Sequence, residues 1–318
     1  MHHRTFCTCS PRSVSATSSF SVALRCTFIV PFCHIDTGLY AVDLLVRLYA
    51  RFACSKVTAL TREVGGLVRI DFDNSKLPGL QNYVSGQFVR VCFPTLNSFE
   101  WHPFTICGTR CKGSSTILIS PVVQGPRGMR LNDWSDLVCR KACVGMPISI
   151  DGAFGAGLSF EPNDMDVVIC FVGGSGISLG LNVANCVNSK STHVILFWSV
   201  RCADHNKTLS CLSDLPSKAT IVIYNTHLSS TQKSEDKDDK ELGHCGVSPA
   251  GKSEVVTMFR RISFRDRLSA IEHSKGGKLG IAICGGAKFS EEAYKASCEY
   301  AALNPSAEIS ISIESFAL

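Results

Sequence analysis

Val168-Ile169-Cys170-Phe171-Val172-Gly173-Gly174-Ser175-Gly176-Ile177 reads as a buried strand that runs straight into a glycine turn. An unbroken apolar run of this length, bounded by glycines, suits a strand covered on both faces. The alternation continues downstream. A helix is expected over about 179–188, a strand over 193–200, a polar helix near 204–214 and a strand over 220–224. Further on come a strand over 279–284, a helix over 291–302 and a strand over 308–313. Strands that alternate with helices build an open parallel sheet, so residues 161–318 read as a Rossmann-like domain. Residues 229–253 interrupt it. Their centre, Lys233-Ser234-Glu235-Asp236-Lys237-Asp238-Asp239-Lys240-Glu241, is charged and poor in apolar residues, and predicts a solvated, disordered insertion.

Upstream the period changes. Short strands are expected over 57–61, 67–72, 88–93, 103–107, 117–123 and 147–150, with one helix over 130–143. Gly65-Gly66 supplies a hairpin signal between the first two. Strands at short intervals with a single helix predict a small antiparallel barrel of six strands over residues 54–160. The fold class is therefore β followed by α/β. Before the barrel, Leu39 to Phe52 has apolar residues at helical spacing, with Asp43, Arg47 and Arg51 at four-residue steps. This segment, 39–53, is either a surface helix or a connector from a membrane helix. Residues 1–38 are irregular. The run Phe20–Cys33 is broken by Arg25 and Pro31, short of the roughly 18 apolar residues a span needs. It reads as an untidy terminus, a poor signal peptide or the remnant of a membrane segment.

With 318 residues, 45% hydrophobic and 19% charged, the chain can bury two ordinary cores. The net charge of +5 is spread out, and no basic stripe interleaved with aromatics points to nucleic acid. Seventeen cysteines fall below the density of a disulfide scaffold, and most sit in apolar runs, which favours reduced thiols and a cytosolic face. Cys107/Cys111 and Cys139/Cys143 lack zinc-ligand spacing. No Ser/His/Asp order and no HExxH motif supports a hydrolase.

Several motifs carry candidate chemistry. Glycines at Gly173, Gly174 and Gly176, with Ser175 and Ile177, let the backbone approach a pyrophosphate at a helix N-terminus, or simply turn. Trp198-Ser199-Val200-Arg201 closes the next strand; Arg201 either receives an adenosine 2′-phosphate or is an exposed arginine. Cys284-Gly285-Gly286 ends a strand at the carboxyl edge, where Cys284 lies near a nicotinamide or packs as a small hydrophobe. Gly125-Pro126-Arg127-Gly128-Met129-Arg130 offers N–H groups and arginines to an anion such as a flavin pyrophosphate. Asp151-Gly152-Ala153-Phe154-Gly155 follows the last barrel strand and reads almost as well as a plain turn. Trp101-His102-Pro103-Phe104-Thr105 is the most distinctive run. His102 there has no carboxylate partner in sequence and also reads as a structural turn residue.

In this order the motifs resemble the cytosolic half of the ferric reductase/NADPH oxidase superfamily, with fungal ferric-chelate reductases nearest. The resemblance covers about residues 39–318. It implies that His102, Pro103, Phe104 and Thr105 line a flavin, with Gly125, Gly128 and Met129 beside its pyrophosphate. It implies that Gly173–Ile177, Cys284 and Gly285 line an NADPH site. Ala41–Arg47 looks like the segment that joins the family's last membrane helix to the flavin domain. The closing Glu314-Ser315-Phe316-Ala317-Leu318 is similar to the family's terminal Glu-x-Phe, which places Phe316 beside the isoalloxazine. The chain departs in three ways. Asp-Gly-Pro-Tyr-Gly is Asp-Gly-Ala-Phe-Gly, Cys-Gly-Pro is Cys-Gly-Gly, and the nine histidines offer no pairs of haem ligands on apolar helices.

The activity this implies is electron transfer from NADPH through FAD to a one-electron acceptor: haem, then ferric iron, in full-length relatives. Catalysis rests on the cofactors and on proximity, so no acid/base dyad is required. The implied location is the cytosolic face of a membrane, with a membrane haem domain as partner, although this chain alone reads as soluble. Two alternatives stand beside it: an oxidase that makes superoxide, and a truncated nucleotide-binding relative without catalysis.

Overall fold

The computed structural model describes residues 38–42, 45, 54–63, 67–80, 82–108, 113–121, 134–189, 191–200, 219–226, 254–258, 260–271 and 277–314. Residues 38–42 and 45 are helical, and Leu39, Tyr40, Val42 and Leu45 are exposed. The rest of the expected connector, the insertion 229–253 and the helix near 204–214 lie outside the described residues. No helix among the described residues is long and apolar enough to cross a membrane.

Six antiparallel strands close into a barrel in the order β1-β2-β5-β4-β3-β6. They are β1 (Cys54–Arg62), β2 (Val68–Asp73), β3 (Phe88–Cys92), β4 (His102–Gly108), β5 (Ser114–Ile119) and β6 (Pro147–Phe154). Alternation sends Val68, Ile70 and Phe72 of β2, Val89 and Val91 of β3, and Ile117 and Ile119 of β5 into one interior cluster. Closure leaves no open edge. Helix α1 (Trp134–Lys141) buries Trp134, Val138 and Cys139 in the same cluster. Strand β5 ends at Ile119, earlier than its apolar pattern predicts, because Pro121 has no N–H for the ladder. Strand β6 runs four residues past Ile150, so the Asp151–Phe154 segment is paired backbone rather than a plain turn; Asp151 stands opposite Arg90 and Phe154 opposite Phe88.

The second half is a parallel sheet of six strands in the order β10-β9-β8-β7-β11-β12. Its strands are β7 (Val167–Gly173), β8 (His193–Val200), β9 (Ala219–Asn225), β10 (Glu254–Met258), β11 (Lys278–Cys284) and β12 (Glu308–Glu314). Val168, Cys170 and Val172 face one core with helix α2 (Ile177–Cys186) and with Leu67, Cys107 and Leu118 of the barrel half. Ile169 and Phe171 face the other core, with α3 (Phe264–Ser269) and α4 (Ala287–Leu303). Strand β10 and helix α3 are absent from the sequence reading. Both are short, and β10 lies at the sheet edge, where an exposed Val255 breaks the all-apolar signature of a covered strand.

Candidate functional site

The order of the sheet places the site. From β7 the chain steps outward to β8, β9 and β10, then returns to β11 on the other side of β7. Open α/β sheets bind ligands at the carboxyl edge of such a reversal. Both glycine motifs end there. Val172 pairs with Cys284, and Gly173 pairs with Ser199. The two turns touch: a Cβ on Gly176 would lie 2.5 Å from the Cys284 carbonyl oxygen and 3.0 Å from its Sγ. Gly174 holds φ +55 with nothing within 4 Å of a Cβ position, so its outer face is open. The Trp198 indole N–H donates to the Gly174 carbonyl at 2.9 Å, and the Ser178 hydroxyl donates to the Ser175 carbonyl at 3.0 Å. Helix α2 starts at Ile177, two residues earlier than predicted, with no side-chain cap on its first N–H groups. The loop is thus pinned through its carbonyls, which also receive the Ile177 N–H.

The barrel supplies the facing wall. His102 stacks on Trp134 at 4.2 Å and 24°, and Phe104 lies 5.8 Å from the same indole. These two side chains share the face of Val91 and Val89, their cross-strand partners. Pro103 and Thr105 fall on the opposite face of β4, with Arg90 and Phe88 of β3 opposite them. Arg90 forms an ion pair with Asp151, and its guanidinium sits 4.7 Å from the Phe154 ring centre. Three buried side-chain polar atoms of this one region of β3, β4 and α1 have no hydrogen-bond partner among the described residues: Arg90 Nε, Thr105 Oγ1 and Trp134 Nε1. Buried polar groups are normally paired, so these unmet groups are candidates for a polar ligand, Thr105 and Arg90 on one face of the β3–β4 pair and Trp134 on the other.

Contacts join the two walls. Asn182 and Asn185 of α2 bond to the backbone of β4, at Ile106 and Cys107. Glu314 pairs in register with Cys284, and its Oε1 lies 3.2 Å from the Cβ position of Gly86, which leads into β3. The thiol of Cys284 is pushed up to about 12 by burial and then by the Glu314 carboxylate, so it stays protonated and is no nucleophile. Cys170 is likewise pushed up to about 12, mainly by burial. Alkylation of the folded protein at pH 8 should therefore label the exposed Cys143 and Cys298 well before Cys170 or Cys284. Mass-spectrometric mapping that finds Cys284 among the fastest sites would contradict this.

Desolvation also raises the carboxyl of Glu314 above its ordinary 4.5. A raised acid adds stability that is complete below the ordinary carboxyl range and is lost as pH climbs through the raised value. Glu314→Gln removes that loss. Its melting temperature should therefore gain on the wild type between pH 4 and pH 8, and a constant or shrinking difference would refute the assignment.

Of the residues singled out in the sequence, the structure brings Gly173, Gly174, Ser175, Gly176, Ile177, Cys284 and Gly285 together at one edge. It places Pro103 and Thr105 on one face of β4, with His102 and Phe104 on the other. Gly125, Gly128, Met129, Arg201 and Phe316 lie outside the described residues. Sequence reasoning assigned no role to Trp134, Trp198, Asn182 or Glu314. Asn182 had a signal: an amide inside Leu179-Gly180-Leu181-Asn182-Val183-Ala184, a stretch otherwise apolar on all sides.

Residues 51–128 match the FAD-binding domain family. The chain is 26% identical over 185 residues to the Probable metalloreductase AIM14 of Debaryomyces hansenii, covering 56% of this chain and 31% of that protein. It is 34% identical over 94 residues to Respiratory burst oxidase homolog protein E of Arabidopsis thaliana, covering 30% and 8%. The chain thus spans about a third or less of these curated relatives. A ferredoxin NADP+ reductase of Neisseria gonorrhoeae, solved with FAD and NADP bound, superposes with TM-score 0.52 at 17% identity, over 82% of this chain and 97% of that one. The fold is that of the ferredoxin reductases. Within that fold, the barrel half carries the match to the FAD-binding domain family.

Proposed function

We propose that this chain binds FAD against β3, β4 and α1 and NADPH over the Gly173–Gly176 loop, and passes electrons from NADPH to a one-electron acceptor. The observation that carries the reading is the joining of the two walls: the glycine loop, the Cys284 turn and Glu314 on one side meet Gly86 and β4 on the other. When bound, FAD supplies the conversion of a two-electron hydride donor into single electrons.

The residues have separable tasks. Thr105 Oγ1 and Arg90 Nε, on one face of the β3–β4 pair, are the buried groups that would hold the flavin's polar edge or phosphates. His102, Phe104 and Trp134 stack together on the opposite face, against the barrel's interior cluster. By the family resemblance, Gly125, Gly128 and Met129 would complete the flavin pyrophosphate side and Phe316 would cover the isoalloxazine. The amides at the start of α2 receive the pyrophosphate of NADPH, and Arg201 its 2′-phosphate. Cys284, neutral and packed against Gly176, shapes the nicotinamide pocket and excludes water from it. None of these groups must give or take a proton for hydride transfer itself, so positioning and desolvation are the protein's contribution.

For the acceptor, the match to a probable metalloreductase supports a metal ion, and the family resemblance points to ferric chelate reached through haem. The match to a respiratory burst oxidase homolog favours a second reading, in which oxygen is reduced to superoxide. The test is acceptor turnover by the FAD-loaded chain with NADPH: ferricyanide, ferric chelates and oxygen in parallel. Turnover of ferricyanide supports the module, and the ratio of ferric to superoxide product separates the two acceptors. A purified chain that stays colourless with added FAD refutes both.

A further inference from the structure

Asn182 is the most fully committed polar side chain between the two halves of the site. It is completely buried. Its Oδ1 accepts from the Gly86 N–H at 3.2 Å, and its Nδ2 donates to the Ile106 carbonyl at 2.7 Å. One amide therefore holds the residue entering β3 and the residue after Thr105 on β4. Three residues on, Asn185 Nδ2 donates to the Cys107 carbonyl at 3.0 Å. Gly108 beside it could not carry a side chain, since a Cβ would fall 2.8 Å from that same nitrogen. Gly86 is hemmed in too: a Cβ there would meet the Leu158 nitrogen at 3.0 Å.

The other end of α2 is the nucleotide loop. Six residues separate Gly176 from Asn182, about 9 Å along a helix. The loop is tied to the sheet by Trp198 and to the first turn of α2 by Ser178, and the amides of Asn182 and Asn185 tie the helix to β4. A leucine at 182 would add apolar burial, but it would strand one N–H and one carbonyl in the interior. An ionised aspartate could accept but not donate. Only a primary amide satisfies both partners without binding a proton, and it does so in one orientation.

We propose that Asn182 is a positioning residue: through α2 it fixes the flavin-side strand β4 at a set distance from the glycine loop, and so sets how closely nicotinamide and flavin approach. This rests on the two-nucleotide function proposed above. Hydride transfer is steep in distance, and a misplacement of about 1 Å can cost about 100-fold.

The test uses the full chain loaded with FAD, comparing wild type, Asn182→Ala and the similarly sized Asn182→Leu, which keeps the volume if alanine folds poorly. In anaerobic stopped flow with NADPH, the limiting rate of flavin bleaching should fall at least about tenfold in both variants. The dissociation constant for NADPH should stay within about twofold, because the loop and its amides are untouched. Hydrogen exchange of the Gly86 amide, measured without any cofactor, should be slow in wild type and fast in Asn182→Ala. An unchanged bleaching rate in a folded variant overturns the proposal, as does a Gly86 amide that stays protected. If NADPH never bleaches the wild-type flavin, the proposed function fails instead, and exchange at Gly86 alone judges the clamp.

Discussion

Gly176→Ala should abolish NADPH-driven bleaching of the flavin while leaving FAD bound. The added methyl would sit 2.5 Å from the Cys284 carbonyl oxygen, a backbone atom at the end of β11 that cannot rotate away. Overpacking of this kind costs about 3 kcal/mol when the neighbour is free to yield only a little. Relief requires the glycine loop and the Cys284 turn to separate, and these are the two segments proposed to hold the pyrophosphate and the nicotinamide. The barrel is not involved, so the flavin absorbance and its quenched fluorescence should persist. Gly174→Ala is the control. Nothing lies within 4 Å of its Cβ position, so only the left-handed φ of +55 is penalised, by about 1 kcal/mol. If Gly174→Ala and Gly176→Ala lose the NADPH response equally, the abutting of the two turns is not what shapes the site.

Thr105→Val should act in opposite directions on the empty and the flavin-loaded protein. The hydroxyl is buried with no partner among the described residues, a state that costs about 1–3 kcal/mol. Valine fills the same space without the hydroxyl, so the cofactor-free protein should be as stable as wild type or more so. The flavin, if it receives a hydrogen bond from Thr105, should bind about tenfold more weakly, the value of roughly 1.4 kcal/mol in affinity. Melting without cofactor and fluorescence titration with FAD give the two signs. A destabilised empty protein, or an undiminished affinity for FAD, would mean that Thr105 serves only packing.

Much of this was open to reading in one dimension because the two halves obey different periods. The covered strands β7, β8, β9 and β11 are almost pure apolar runs, and each was found within a residue or two. The barrel strands alternate, and their order of appearance already suggested closure. Failures have physical causes. α4 begins at Ala287, four residues before the acidic pair Glu291-Glu292 that resembles a helix start, because Phe289 packs on Phe264 and continues the helix backward. β10 is short and at an edge, so burial leaves little imprint on its sequence.

The site was legible as motifs but not as faces. A strand over 103–107 already implies that successive residues look opposite ways, but the pairing of β4 with β3 decides which residue takes which face. Trp134 and Trp198 act through contacts made to His102 and to the Gly174 carbonyl, far away along the chain, which no local pattern encodes. Glycines carried the most information, because each marks a backbone approach that a Cβ would block: Gly176 against Cys284, Gly86 against Leu158.

The central claim is that reduced nicotinamide and flavin meet directly between the glycine loop and β4. The most direct measurement is single-turnover bleaching of the FAD-loaded chain, without oxygen, by NADPH carrying deuterium at either face of C4. Direct transfer predicts bleaching slowed by deuterium at one face and not at the other, with that deuterium absent from the oxidised nucleotide. Bleaching with no isotope effect from either face, or no bleaching of a bound flavin at all, would contradict the account.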